Sequence, residues 1–148
     1  MNKTLNYRAV LAGLAVNLLG SFIGSILVLN VYASRLVSSG MTTAEVEKAI
    51  MDALMNPNDH AGLFLALLAT GAVFDALSGY VTARRAGYLE LWHVLALVGL
   101  LAVMQVGAGV VGGGVTVWYW LALISTIAAA FWGGWRAKIR RLKVESGT

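Results

Sequence analysis

The chain has 148 residues, 59% hydrophobic and only 12% charged, with a mean hydropathy of +0.76, whereas an ordinary soluble domain carries about 25% charged and roughly 45–50% apolar residues. Its eleven Lys and Arg and all but one of its seven Asp and Glu fall in short segments outside the long apolar runs, which excludes a soluble core wrapped in charge and points to one membrane-embedded bundle. The absence of cysteine excludes disulfide frameworks, thiolate metal sites and cysteine nucleophiles, and the two histidines, His60 and His93, lie in different segments, so neither a metal nor any other cofactor is expected.

Four apolar runs, near residues 9–33, 61–83, 91–112 and 117–135, each approach the ~20 residues that span a ~30 Å hydrocarbon layer. Backbone polar groups in hydrocarbon must be satisfied internally, and no ten-residue alternating pattern suggests a barrel, so all four read as helices. The first run is read as an uncleaved anchor. A signal peptide, with Lys3 and Arg8 as its basic region, is the alternative, but the run is well beyond 7–15 residues and carries Gly13, Asn17, Gly20, Ser21, Gly24 and Ser25 in a packing-like pattern.

Between the first two runs, residues 34–60 form the only sizeable polar stretch. Thr42 followed by Glu45 makes a capping box, and Val46, Ala49, Ile50, Ala53 and Leu54 recur at helical spacing with Glu45, Lys48 and Asp52 opposite. A short amphipathic helix over about 43–55 is expected, resting on the bilayer or bundle, or alternatively covering a site between the helices. Asn56-Pro57-Asn58 stops it, and Asp59 is placed to cap the next helix. Gly112-Gly113-Gly114, between the last two runs, reads as a tight turn. The expected fold is an all-α membrane protein: a four transmembrane helix bundle with a short amphipathic helix between helices 1 and 2, forming a single integral membrane domain over 1–148.

Nine basic residues flank one side: Lys3 and Arg8, Arg84 and Arg85, and Arg136, Lys138, Arg140, Arg141 and Lys143. Only Arg35 and Lys48 fall on the other. The positive-inside rule then puts both termini in the cytoplasm and 34–60 outside. The basic tail 136–148 invites a nucleic-acid reading, but a juxtamembrane cluster is accounted for by anionic lipid headgroups, with no nucleic acid needed.

Asp75 lies within the second apolar run with no basic residue nearer than Arg84. A carboxyl at that depth faces the bundle interior or a water-filled cavity, where it has a partner or a task. Asn17 is nine residues from Arg8, Asp75 nine from Arg84, and Ser125 and Thr126 eleven and ten from Arg136. At ~1.5 Å per residue these side chains share a layer roughly 13 Å from the cytoplasmic boundary. A hydrogen-bonded cluster is expected there: a neutral acid would serve as structural glue, and a titrating one would couple proton movement to transport. Gln105 reads as an interhelical hydrogen-bonding residue nearer the outer side, and His93 as an amphipathic boundary residue. Gly20, Gly24, Gly71 and Gly79 read as close-packing positions. Paired intramembrane carboxylates, a compatible Ser, His and Asp set, HExxH and a phosphate loop are all missing, so no enzyme is expected.

Three motifs, Ser78-Gly79-Tyr80-Val81-Thr82-Ala83-Arg84, Leu91-Trp92-His93-Val94 and Gly133-Gly134-Trp135-Arg136, give nearly the whole chain an order that resembles small four-helix bacterial inner-membrane proteins of uncharacterised function. The resemblance implies a polytopic inner-membrane protein and carries no activity with it. In helix count and size the chain is also similar to the small multidrug resistance transporters, but their essential carboxylate lies in the first helix, where this chain has no acid. The expectation is a non-enzymatic scaffold, assembly or accessory subunit acting through helix contacts, as a homo-oligomer or with a membrane-protein partner. The alternative is a small oligomeric transporter coupled to protons or cations through Asp75.

Overall fold

The computed structural model describes residues 5–111 and 116–146; Lys3 and the Gly112-Gly113-Gly114 turn lie outside the described residues. Among them are five helices and no strand: α1 (Tyr7–Ser38), α2 (Thr43–Met55), α3 (Ala61–Ala86), α4 (Glu90–Val111) and α5 (Val117–Ser146). Four of these, all but α2, are long and apolar enough to cross a membrane. No more than 28% of the most apolar stretch of any of them is buried, so most of their apolar side chains face outward, where only an apolar surrounding would suit them.

The helices outrun the hydropathy that announces them. α1 continues five residues past the expected 33, and α5 continues through the basic tail, because Leu, Lys and Arg sustain helical backbone as well as apolar residues do. α1 starts at Asn6, whose side chain accepts from the Ala9 N–H at 3.3 Å. It stops at Gly40, which takes φ +96° so that its own N–H reaches the Val37 carbonyl while the Met41 N–H reaches that of Leu36.

At the start of α2, Glu45 accepts from both the backbone N–H and the hydroxyl of Thr42, each at 2.8 Å. Val46 and Ala53 are buried, Ala49 and Ile50 half-buried, and Leu54 exposed. The Thr42 N–H, then its hydroxyl, hold the Glu45 carboxyl below its ordinary range. A depressed acid contributes its stabilisation above the unfolded pKa and loses it as pH falls through the folded one. Acidification below the usual glutamate range is therefore expected to fray the first turn of α2, read as loss of helical Cα chemical shifts at Ala44–Glu47. Glu45→Gln should remove most of that pH dependence.

Asp59 does not cap α3. The N-cap is His60, whose side chain makes no capping bond. The Asp59 N–H is instead tied to the Asn56 carbonyl in the preceding turn, and the His60 ring turns back to the Tyr32 hydroxyl at 3.3 Å and to Asp52 at 3.6 Å, tying the beginning of α3 to α1 and α2.

α3 is the central helix, packed chiefly against α5 and α1. Against α1 it runs antiparallel: Gly13 meets Thr82 and the Ser78 carbonyl, Gly20 meets Phe74, and Gly24 meets Thr70 and Phe74. Against α5 it runs parallel, as shown by the pairs Phe64 with Trp118, Asp75 with Thr126 and Tyr80 with Arg140. The α3 and α5 backbones touch at a reciprocal crossing in which Gly79 abuts Ala130 and Gly133 abuts Ala76, with no space for a Cβ at either glycine. Gly134 meets Val94 of α4. Gly71 departs from the expected packing role, since a side chain there would meet nothing within 4 Å.

These registers gather the start of α1, the end of α3, the start of α4 and the end of α5 at one end of the bundle, together with the basic tail. His93 is buried there, contrary to an amphipathic boundary role. Its Nε2 accepts from the Asn6 N–H at 2.8 Å and its Nδ1 donates to the Leu89 carbonyl at 2.9 Å, which locks α1 to α4.

Candidate functional site

Asp75 sits one residue before the α3–α5 crossing and faces α1 across the stripe formed by Gly13, Gly20 and Gly24. Because those glycines let the helices approach closely, the short side chain of Asn17, between them on the same face, can reach it. Asn17 Nδ2 donates to Asp75 Oδ1 at 2.5 Å, and Thr126 Oγ1 donates to Asp75 Oδ2 at 2.9 Å. Gln105 Nε2 donates to Thr126 Oγ1 at 3.3 Å, so one chain of bonds joins α4, α5, α3 and α1. Both carboxyl oxygens have a donor, and Asn17, Asp75 and Thr126 are all buried.

Of the two candidates on α5, the structure brings Thr126 to the carboxyl and leaves Ser125 half-buried in the wall of an adjacent cavity. That cavity, about 500 Å³, lies on the side of Asp75 toward the starts of α3 and α5. Its wall includes Asp75, Gln105, Ser125, Phe64, Trp118 and Tyr119. Gly71 lines it too, which accounts for the open space in front of that residue. A smaller space of about 190 Å³, walled by Leu18, Leu101 and Met104, touches the same polar layer. Two buried polar atoms in the larger wall, Gln105 Oε1 and the Tyr119 hydroxyl, have no protein partner. Neither was legible as a cavity residue from sequence, since the cavity exists only because the helices diverge beyond their crossing.

The five basic residues of α5 divide among tasks. Arg141 is engaged within the chain: it donates to the Gly87 carbonyl, at the left-handed end of α3, and to Glu90 Oε1 at 2.6 Å, bracing the α3–α4 connection. It is therefore not simply a headgroup ligand as its place in the basic run suggests. Arg136 lies over the Trp132 ring at 5.1 Å, and Arg140 lies over the Tyr80 ring at 5.7 Å with an N–H 3.4 Å from the Tyr80 hydroxyl. Lys138 is half-buried and Lys143 exposed.

Among the described residues no group of three or more His, Asp or Glu is placed to hold a metal ion. Comparison with known protein families, curated proteins and solved structures finds no match to this chain.

Proposed function

We propose that the chain is a multi-pass protein of a bacterial cytoplasmic membrane, with both termini in the cytoplasm, acting without catalysis as a scaffold, assembly or accessory subunit through helix contacts. The observation that supports this reading best is the saturation of Asp75. Each of its oxygens accepts from a different neighbouring helix, the arrangement of an acid used to set helix positions. In this reading α2 is an amphipathic helix with Val46, Ala49, Ile50 and Ala53 inward, lying on the outer surface, and the basic residues of α5 other than Arg141 face anionic headgroups.

The orientation rests on nine basic residues against two. Reporter fusions at Ser39 and Tyr88 are expected to signal outside and inside respectively, and the reverse pattern would overturn it. For the scaffold reading, native mass spectrometry of the protein extracted in mild detergent is expected to show a self-assembly or a defined foreign membrane subunit. A strictly monomeric protein with no partner would refute it.

A second reading, a small oligomeric proton- or cation-coupled transporter, is favoured by the cavity that ends on Asp75 with two unpartnered polar atoms in its wall. In that reading Asp75 releases its bonded partners to take up the ion, and the aromatic walls of Phe64, Trp118 and Tyr119 guide a cation to it.

A further inference from the structure

On the outer face of the α3–α5 pair, away from the Asp75 layer, runs a trough of about 400 Å³ whose walls are Val73, Ala76 and Leu77 of α3 and Trp132 and Gly133 of α5. It exists because the Gly133–Ala76 contact brings the two backbones together and leaves no side chain between them. Val73, Leu77 and Trp132 are 57%, 46% and 53% exposed, so the trough opens to the surroundings of the bundle and not to its core. Its volume falls within the roughly 300–1,000 Å³ of small-molecule sites.

One end of the trough is cationic. Arg136 and Arg140 both line it, one turn apart on α5. Each guanidinium is held over an aromatic ring of the same wall, Trp132 for Arg136 and Tyr80 for Arg140. The nearby carboxylate of Glu90 is already taken by Arg141, and among the described residues no carboxylate forms an ion pair with Arg136 or Arg140. Two oriented guanidinium groups with no carboxylate partner among the described residues, above an apolar slot that opens outward, are complementary to a phosphodiester with an acyl chain.

We infer that this trough is a binding site for one anionic phospholipid, its acyl chain lying along Val73, Leu77 and Trp132 and its phosphate held by Arg136 and Arg140. This goes beyond general attraction of a basic tail to a charged surface, because it assigns the recognition to two of the basic residues and to a shaped apolar slot. It rests on the membrane placement proposed above and on neither reading of Asp75.

The test is native mass spectrometry of the full chain in mild detergent with added phosphatidylglycerol or phosphatidylcholine. One phosphatidylglycerol should be retained in preference to phosphatidylcholine. The double variant Arg136→Gln, Arg140→Gln is expected to weaken that retention roughly thirty-fold, from a contribution of about five-fold per basic residue at an anionic surface. Val73→Trp, which fills the slot and removes no charge, should weaken it several-fold. Arg8→Gln with Arg85→Gln removes the same charge from two exposed residues away from the trough and should leave retention nearly unchanged. Equal losses in the two charge variants would reduce the effect to diffuse electrostatics and overturn the site. So would equal retention of phosphatidylcholine, indifference to Val73→Trp, or a second copy of the chain occupying the face without lipid. Recovery of the chain from cells without detergent would instead sink the membrane placement itself.

Discussion

Gly133→Ala is expected to lower the unfolding midpoint of the detergent-solubilised protein by roughly 6–12 °C, while Gly71→Ala leaves it nearly unchanged. Both glycines lie in helices long and apolar enough to cross a membrane. They differ in what a Cβ would meet: the Ala76 carbonyl in one case, nothing within 4 Å in the other. Overpacking a well-packed contact costs about 1–3 kcal/mol. At Gly133 the obstacle is backbone, which cannot rotate aside, so the upper end applies, and each kcal/mol moves the midpoint of a chain this size by roughly 2–4 °C. Gly133→Leu should prevent the crossing altogether and yield aggregated protein on size-exclusion chromatography. A Gly133→Ala protein as stable as the parent would mean that α3 and α5 do not meet there.

The second large effect is expected at the polar layer. In a double-mutant cycle with Asn17→Ala and Asp75→Ala, unfolding in a denaturing detergent series should give a coupling near the upper end of the range for membrane interhelical bonds, which average about 0.6 and reach about 1.7 kcal/mol. The upper end follows because the bond is short and wholly buried. Asp75→Leu should cost more than Asp75→Asn, since the amide keeps the shape and can still accept from one neighbour. The two readings of the protein separate on the Asn variant. As a positioning group, Asp75→Asn leaves assembly intact. As a coupling site, it leaves a folded protein that no longer moves an ion into proteoliposomes, because an amide cannot release a proton. Zero coupling in the cycle would remove the premise of the scaffold reading.

The same residues show how far the amino-acid sequence carries. Depth is legible because the helical rise is constant: nine, nine and ten residues from three basic boundaries place Asn17, Asp75 and Thr126 at one level, and the structure bonds them. Azimuth is less so. Ser125 and Thr126 share that level and differ by about 100° around the helix, and only the packing of α5 selects Thr126. Gly71 and Gly79 lie two turns apart on one stripe, yet crossing helices touch over a limited length, so one glycine meets Ala130 and the other faces the opening beyond. Contacts made across long separations leave no local trace. Arg141 reads as one more basic residue until the fold brings Glu90, 51 positions earlier, beside it. Helix ends are similarly hidden, because hydropathy marks where a chain enters polar surroundings and not where its backbone hydrogen bonds stop.

The bonding of Asp75 also has a dimension in time. Its two partners lie on opposite sides of it in the chain: Asn17 precedes it by 58 residues and Thr126 follows it by 51. At a synthesis rate of about 5–20 residues per second, the second donor emerges roughly 3–10 s after the acid itself. During that interval α1 and α3 can already be side by side, so under the membrane placement proposed above Asn17 alone would accompany the carboxyl into the bilayer, and the arrival of α5 would complete the set. A defect at Asn17 would therefore be felt during insertion, before the bundle exists, whereas a defect at Thr126 would be felt only in the finished molecule.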